Sequence, residues 1–135
     1  MQTNSVIISA KRTPVGSFQG VLSSFSAPQL ASEVFKGILA DKNLDDIIIN
    51  EVIMGNVLGA GIGQAPARQA ALFSGLPNDI LCLTINKMCG SGLKAIMLAD
   101  QAIQCSESEI ILAGGMESMS NAPYLINNFR KGQKL

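Results

Sequence analysis

The chain has 135 residues, enough for one domain of ordinary size, and its 47% hydrophobic against 15% charged content excludes a disordered tail. Ten basic residues cancel ten acidic ones, and no basic patch stands out beyond Arg130, Lys131 and Lys134, so a nucleic-acid surface is excluded and that short tail reads as a solvated loop. No apolar run is long enough to span a bilayer, so a membrane role is not expected either.

Val6-Ile7-Ile8-Ser9-Ala10 predicts a short buried strand, followed by a loop with Arg12-Thr13-Pro14 and Gly16. Leu30, Ala31, Val34, Phe35, Ile38 and Leu39 then recur at helical spacing. Ser26 as N-cap and Pro28 in the first turn start that helix near residue 27. Glu51-Val52-Ile53-Met54-Gly55 is the next strand; the preceding Ile47-Ile48-Ile49 could extend it or close a helix. Residues 59–63 are glycine-rich, Pro66 opens a helix to about Phe73, and Gly75 ends it. Leu83-Thr84-Ile85-Asn86 predicts a third strand. Residues 90–104 predict a third helix, apolar around most of its circumference and so expected to be buried on all sides. Glu109-Ile110-Ile111-Leu112-Ala113 is a fourth strand, stopped by Gly114-Gly115. The expected class is α/β, a mostly parallel sheet in the order β-α-β-α-β-α-β.

Reacting groups of open parallel sheets gather at the carboxyl ends of the strands, and three strand-to-helix junctions compete. Gly59-Ala60-Gly61-Ile62-Gly63-Gln64 fails as a dinucleotide loop, because Gln64 stands where the third glycine belongs; it reads as a turn needing small residues. In Thr84-Ile85-Asn86-Lys87-Met88-Cys89-Gly90-Ser91-Gly92-Leu93 a strand runs into a sharp turn, with Cys89 where the next helix begins. Helix N-termini favour anions, so a thiolate is favoured there, and Gly90 and Gly92 leave room for a substrate. Position alone fits two readings equally, a reactive thiolate or a small buried hydrophobe. Cys82 and Cys105 are expected to serve packing, Lys87 to be a surface charge, and Ser91 to hydrogen-bond within the first turn. At Ala113-Gly114-Gly115-Met116-Glu117-Ser118-Met119-Ser120, Glu117 reads as half of an ion pair rather than a general base, and the methionines as an adaptable apolar wall.

Two absences bound the chemistry. There is no histidine, the usual general base near neutral pH. The odd count of three cysteines, without a C-x-x-C pair or a secretory pattern in Met1 to Ser5, fits reduced thiols and a cytoplasmic location.

Asn86-Lys87-Met88-Cys89-Gly90-Ser91-Gly92-Leu93-Lys94-Ala95 resembles the active-site cysteine motif of thiolases. Four further stretches resemble that family in the right order: Ala10-Lys11-Arg12-Thr13-Pro14-Val15-Gly16, Met54-Gly55-Asn56-Val57-Leu58, Gly63-Gln64-Ala65-Pro66-Ala67-Arg68-Gln69, and Ala113-Gly114-Gly115-Met116-Glu117-Ser118-Met119-Ser120. Ser118-Met119-Ser120-Asn121-Ala122-Pro123-Tyr124 resembles the biosynthetic type. Ketoacyl and hydroxymethylglutaryl synthases share the fold but fit residues 86–92 and 114–118 less well.

The resemblance implies a thiolase-like fold, with residues 1–117 as the N-terminal core domain lacking its last strand and residues 118–135 as the start of a loop domain. It implies acetyl-CoA C-acetyltransferase activity, with Cys89 as the nucleophile carrying the acetyl group and its own N–H in the oxyanion hole. It also implies coenzyme A thioesters as substrates, no permanently bound cofactor, no metal, and a homo-oligomer built as a dimer of dimers. Thiolases further use a histidine and a second cysteine from their C-terminal half. Neither has a counterpart here, so the chain is expected to be inactive by itself and to need that half as a partner, its incomplete sheet leaving an edge prone to pairing. The alternative is an inactive truncated or split fragment acting only through a partner chain.

Overall fold

In the computed structural model, which describes residues 4–41, 47–127 and 129–132, the first helix starts where Ser26 dictates. The Gln29 N–H donates to Ser26 Oγ at 3.4 Å and the Ser26 N–H donates to Gln29 Oε1 at 2.8 Å, a reciprocal capping box, with Pro28 in the first turn. Helix α1 (Ala27–Leu39) buries Ala27, Ala31 and Phe35. Helix α2 (Pro66–Phe73) packs beside it through Ala67, Ala70 and Ala71, all fully buried. Alanines at the contact let the two helices approach closely.

Gly75 ends α2 as expected. Its φ of 90° is left-handed, its N–H donates to Leu72 O at 3.1 Å, and the Leu76 N–H donates to Ala71 O at 3.2 Å, so the last carbonyls are satisfied in a Schellman turn. At the other end, Ala65 supplies no side-chain cap. Thr84 Oγ1 takes that role from the adjacent strand, accepting from the Ala67 N–H at 3.0 Å.

The sheet has three parallel strands, β1 (Glu51–Gly55), β2 (Leu81–Ile85) and β3 (Ile111–Gly115), in the order β2-β1-β3. Successive residues of β1 face opposite sides. Val52 and Met54 join α1 and α2 in one apolar cluster, and Ile53 joins Ala95 and Ala99 of helix α3 (Ser91–Gln104) in a second. Helices therefore lie on both faces, as a parallel sheet requires, although Leu81 and Leu83 of β2 stay exposed. Asn50 fixes the entry of β3, its Oδ1 accepting from the N–H groups of Glu109 at 3.0 Å and Ile110 at 2.9 Å.

The structure corrects several expectations. Residues 6–10 form no strand; Val6 and Ile7 are 76% and 81% exposed, and no described residue offers them a ladder. An apolar run becomes a strand only when a neighbour takes its N–H and C=O groups. The order is therefore α-β-α-β-α-β. Residues 47–50 are neither helix nor strand extension; Ile49 packs against the first cluster while Ile48 is exposed. Gly114 and Gly115 lie inside β3 instead of stopping it, opposite Met54 and Gly55. Helix α3 is buried on one side only, with Leu93, Ile96 and Met97 exposed despite the apolar circumference. Lys134 of the basic tail lies outside the described residues.

Candidate functional site

The carboxyl ends of β1 and β3 meet the first turn of α3 at three glycines. A Cβ on Gly55 would stand 2.5 Å from the Ser91 carbonyl carbon and 2.7 Å from the Gly92 nitrogen; one on Gly115 would stand 3.2 Å from Gly92 Cα. Glycines at positions 55, 92 and 115 thus let the helix rest on the strand ends backbone to backbone. Whatever precedes α3 is held at the top of the sheet.

What precedes it is the turn from Asn86 to Gly90. Met88 adopts a left-handed φ of 49°, a conformation that costs a side chain about 1–2 kcal/mol. Two polar side chains hold it there. Asn86 Oδ1 accepts from the Met88 N–H at 2.9 Å. Ser91, 4% exposed, donates its hydroxyl to Met88 O at 2.6 Å and accepts from the Lys87 N–H at 2.8 Å. Ser91 thus takes the first-turn role expected of it. Asn86 went unrecognised, although an asparagine two residues ahead of a turn peptide is a known Asx signal.

Cys89 follows Met88 and precedes Gly90, the N-cap of α3, and it is exposed. Exposure removes the buried-hydrophobe reading. A helix leaves its first N–H groups without intrahelical acceptors. Here those of Gly90 and Ser91 are taken up within the turn, donating to Lys87 O at 3.1 Å and Met88 O at 3.0 Å. Lys87 is exposed, in line with a surface charge.

The other thiols differ. Cys82 is half-buried in β2; burial pushes its thiol up, only partly offset by the Arg68 guanidinium. Cys105 is not packed as expected but exposed at the C-cap of α3.

Among the described residues Glu117 has no cation partner. Its Oε1 accepts from Asn56 Nδ2 at 2.8 Å and the Leu58 N–H at 3.0 Å, and its Oε2 accepts from the Val57 N–H at 3.0 Å. The carboxylate caps the loop leaving β1, which has no helix to satisfy its amides. Of the methionines in this stretch, Met116 is buried in the core and Met119 is exposed. Beyond Glu117 the chain docks on the first loop: Ser118 Oγ donates to Phe25 O at 2.8 Å, and Asn121 Nδ2 to Ser23 O and Phe25 O at 2.9 Å. The expected glycine turn at 59–63 holds left-handed Gly61 and Gly63, with φ of 76° and 93°.

Shallow grooves indent the surface among the described residues. One of about 230 Å³ is lined by Phe25, Gln29, Ser32, Glu33, Lys36 and Phe73; one of about 110 Å³ lies between α1 and residues 118–122. Neither is lined by Cys89. Among the described residues no three His, Cys, Asp or Glu side chains could hold a metal, and no helix is long and apolar enough to cross a membrane.

Residues 5–135 match the family described as "Thiolase, N-terminal domain". The chain belongs to the thiolase family. The strand-turn-helix around Cys89 is thus part of a thiolase N-terminal domain, and the three-stranded open parallel sheet agrees with an incomplete thiolase-like fold. Acetyl-CoA acetyltransferase of Escherichia coli (strain K12) is 53% identical over 133 residues, 98% of this thiolase chain and 34% of its own length. Acetyl-CoA acetyltransferase of Allochromatium vinosum is 50% identical over 135 residues, 100% of the chain and 34% of its own. Acetyl-CoA acetyltransferase 2 of Arabidopsis thaliana is 49% identical over 128 residues, 95% and 32% respectively. The thiolase chain spans about a third of the length of these relatives.

Proposed function

We propose that this chain carries the nucleophile of an acetyl-CoA C-acetyltransferase, the activity named in its relatives, and that Cys89 is that nucleophile. The carrying observation is its placement: an exposed thiol at the carboxyl end of a parallel sheet, one residue ahead of the α3 N-cap, behind a peptide held left-handed. The Cys89 thiolate attacks the thioester carbonyl of acetyl-CoA; the C–S bond to CoA breaks, the CoA thiolate leaves, and acetyl-Cys89 remains. A second acetyl-CoA loses an α-proton to a base. Its carbanion attacks the acetyl carbonyl, acetoacetyl-CoA forms, and the Cys89 thiolate is released; thiolysis is the reverse. The Cys89 N–H is assigned to the oxyanion of the acyl-enzyme.

With no histidine in 135 residues, the base comes from elsewhere, as does a second thiol for the α-proton. The C-terminal half of a thiolase is the partner proposed, and the bare face of α3 and the Leu81 and Leu83 side chains of β2 are apolar surface that such a half would cover. Residues 1–117 are kept as the core and the loop domain starts at Ser118, three residues past the end of β3. A cytoplasmic location and a dimer of dimers complete the reading, with CoA thioesters as substrates rather than resident cofactors. The second reading, a fragment acting only through a partner chain, shares the first requirement.

Limiting iodoacetamide with mass mapping tests the nucleophile: Cys89 should be labelled ahead of Cys82 and Cys105, and equal labelling of all three refutes it. Thiolysis of acetoacetyl-CoA should be absent for residues 1–135 and appear when a thiolase C-terminal half is supplied. Turnover by the chain alone would refute the need for an external base; no turnover after the half has bound would favour the fragment reading.

A further inference from the structure

Glu117 lies 28 positions after Cys89 in the sequence, yet hydrogen bonds connect it to the turn that presents the thiol. Its two carboxylate oxygens hold the N–H groups of Val57 and Leu58 and the Asn56 amide. The peptide so fixed offers its other side to the turn: Val57 O accepts from Asn86 Nδ2 at 3.4 Å, and the Asn56 N–H donates to Ile85 O at 3.0 Å. Asn86 in turn accepts the Met88 N–H at 2.9 Å, and Met88 is the left-handed residue directly before Cys89. Asn56 is 5% exposed and also donates to Met116 O at 3.2 Å, which ties the loop to the residue after β3. Apart from the Asn86–Met88 bond inside the turn, each contact in this series joins the end of one strand to that of another.

We infer that Glu117 is a positioning residue for Cys89, acting through the Val57 peptide and the Asn86 side chain; this rests on the nucleophile reading above. Ser91 closes the turn from the helix side, but nothing on that side orients Asn86. Asn86 is exposed, and an exposed amide keeps one rotamer only when both of its ends are engaged. Its oxygen is engaged by Met88 and its nitrogen by Val57, and the position of Val57 is set by Glu117. Replacing Glu117 by glutamine preserves shape but sets an NH2 group against an N–H donor, whichever way the amide turns. The loop then shifts, Asn86 loses its acceptor, and the left-handed Met88 peptide is free to relax, carrying the thiol away from the helix N-terminus.

The test is the rate of iodoacetamide labelling at each cysteine of the full chain, in a double-mutant cycle of Glu117→Gln and Asn86→Ala. Each single variant should slow Cys89 about tenfold, the scale of one hydrogen bond, while Cys105 keeps its rate. The double variant should be no slower than the slower single one, because both act on one series of contacts. Multiplied effects, unchanged Cys89 labelling in Glu117→Gln, or equal slowing of Cys105 would each overturn the inference. Asn86 is exposed and its alanine variant should fold, and general destabilisation by Glu117→Gln would appear as faster labelling of the half-buried Cys82. If the unmodified chain labels all three thiols equally, the nucleophile reading falls and takes the relay with it; preferential labelling of Cys89 that Glu117→Gln leaves unchanged removes the relay alone.

Discussion

Gly55→Ala should be among the most damaging single-methyl additions in this chain. The new Cβ would meet three atoms of the first turn of α3, the Ser91 carbonyl carbon at 2.5 Å, the Gly92 nitrogen at 2.7 Å and Ser91 Cβ at 2.7 Å. Two of these are backbone, so no rotamer change relieves them, and ordinary contact demands about 1 Å more. The helix must lift from the sheet, and lifting it disturbs the Gly92–Gly115 contact and the packing of Ala95 on Ile53. Overpacking typically costs about 1–3 kcal/mol, and a clash with backbone belongs at the upper end. At about 2.1 cal/mol/K of unfolding entropy per residue, 135 residues convert about 3 kcal/mol into a Tm lower by about 10 °C. Urea unfolding followed by far-UV circular dichroism measures the loss. Gly59→Ala is the matched control, since its Cβ would meet only Asn56 Oδ1 at 3.8 Å, and it should stay within about 0.5 kcal/mol. If Gly55→Ala is equally mild, the backbone contact at the strand ends is not as described.

Three other substitutions probe separate features. Ser106 is left-handed (φ 58°) where α3 ends, so Ser106→Gly should raise stability by about 0.5–1 kcal/mol in the same urea assay. Thr84→Val keeps the strand but removes the acceptor of the Ala67 N–H, and should lower stability by about 1 kcal/mol. Cys82 gives a pH dependence. Burial raises its folded value above the ordinary 9.0, so the unfolded chain ionises first as pH rises. Its contribution is therefore intact below pH 9 and declines as pH climbs from there towards the folded value. A Cys82→Ala chain, less stable overall, should lose less stability than the unmodified chain between pH 8 and pH 10.

Local chemistry was legible wherever a short stretch determines its own conformation. Ser26 with Pro28, Pro66 and Gly75 marked their helix ends because capping involves only near neighbours. The strand of residues 51–55 was legible from its apolar run, and the strand-turn-helix that holds Cys89 from the glycines at 90 and 92. What failed depends on partners. Residues 6–8 carry the composition of a strand and α3 the circumference of a central helix, but composition cannot say which neighbours are present to cover them. Glu117 misled for a different reason. A carboxylate in sequence suggests a cation, whereas the loop after β1 presents three N–H donors that only the folded arrangement brings within 3.0 Å. Thr84 serves an element other than its own, and the Asn86 amide reaches from its own turn to the loop after β1.

The contact among Gly55, Gly92 and Gly115 has a consequence for positional noise. Packed side chains transmit their rotamer hops to whatever rests on them, and layers separated by leucines or methionines breathe accordingly. A joint made of α-carbons and peptide groups has no rotamers to hop. The spacing between sheet and helix at this end should then be set by bond angles and van der Waals radii rather than by side-chain repacking. Cys89 leads directly into this joint, and the turn that carries it should share that stiffness.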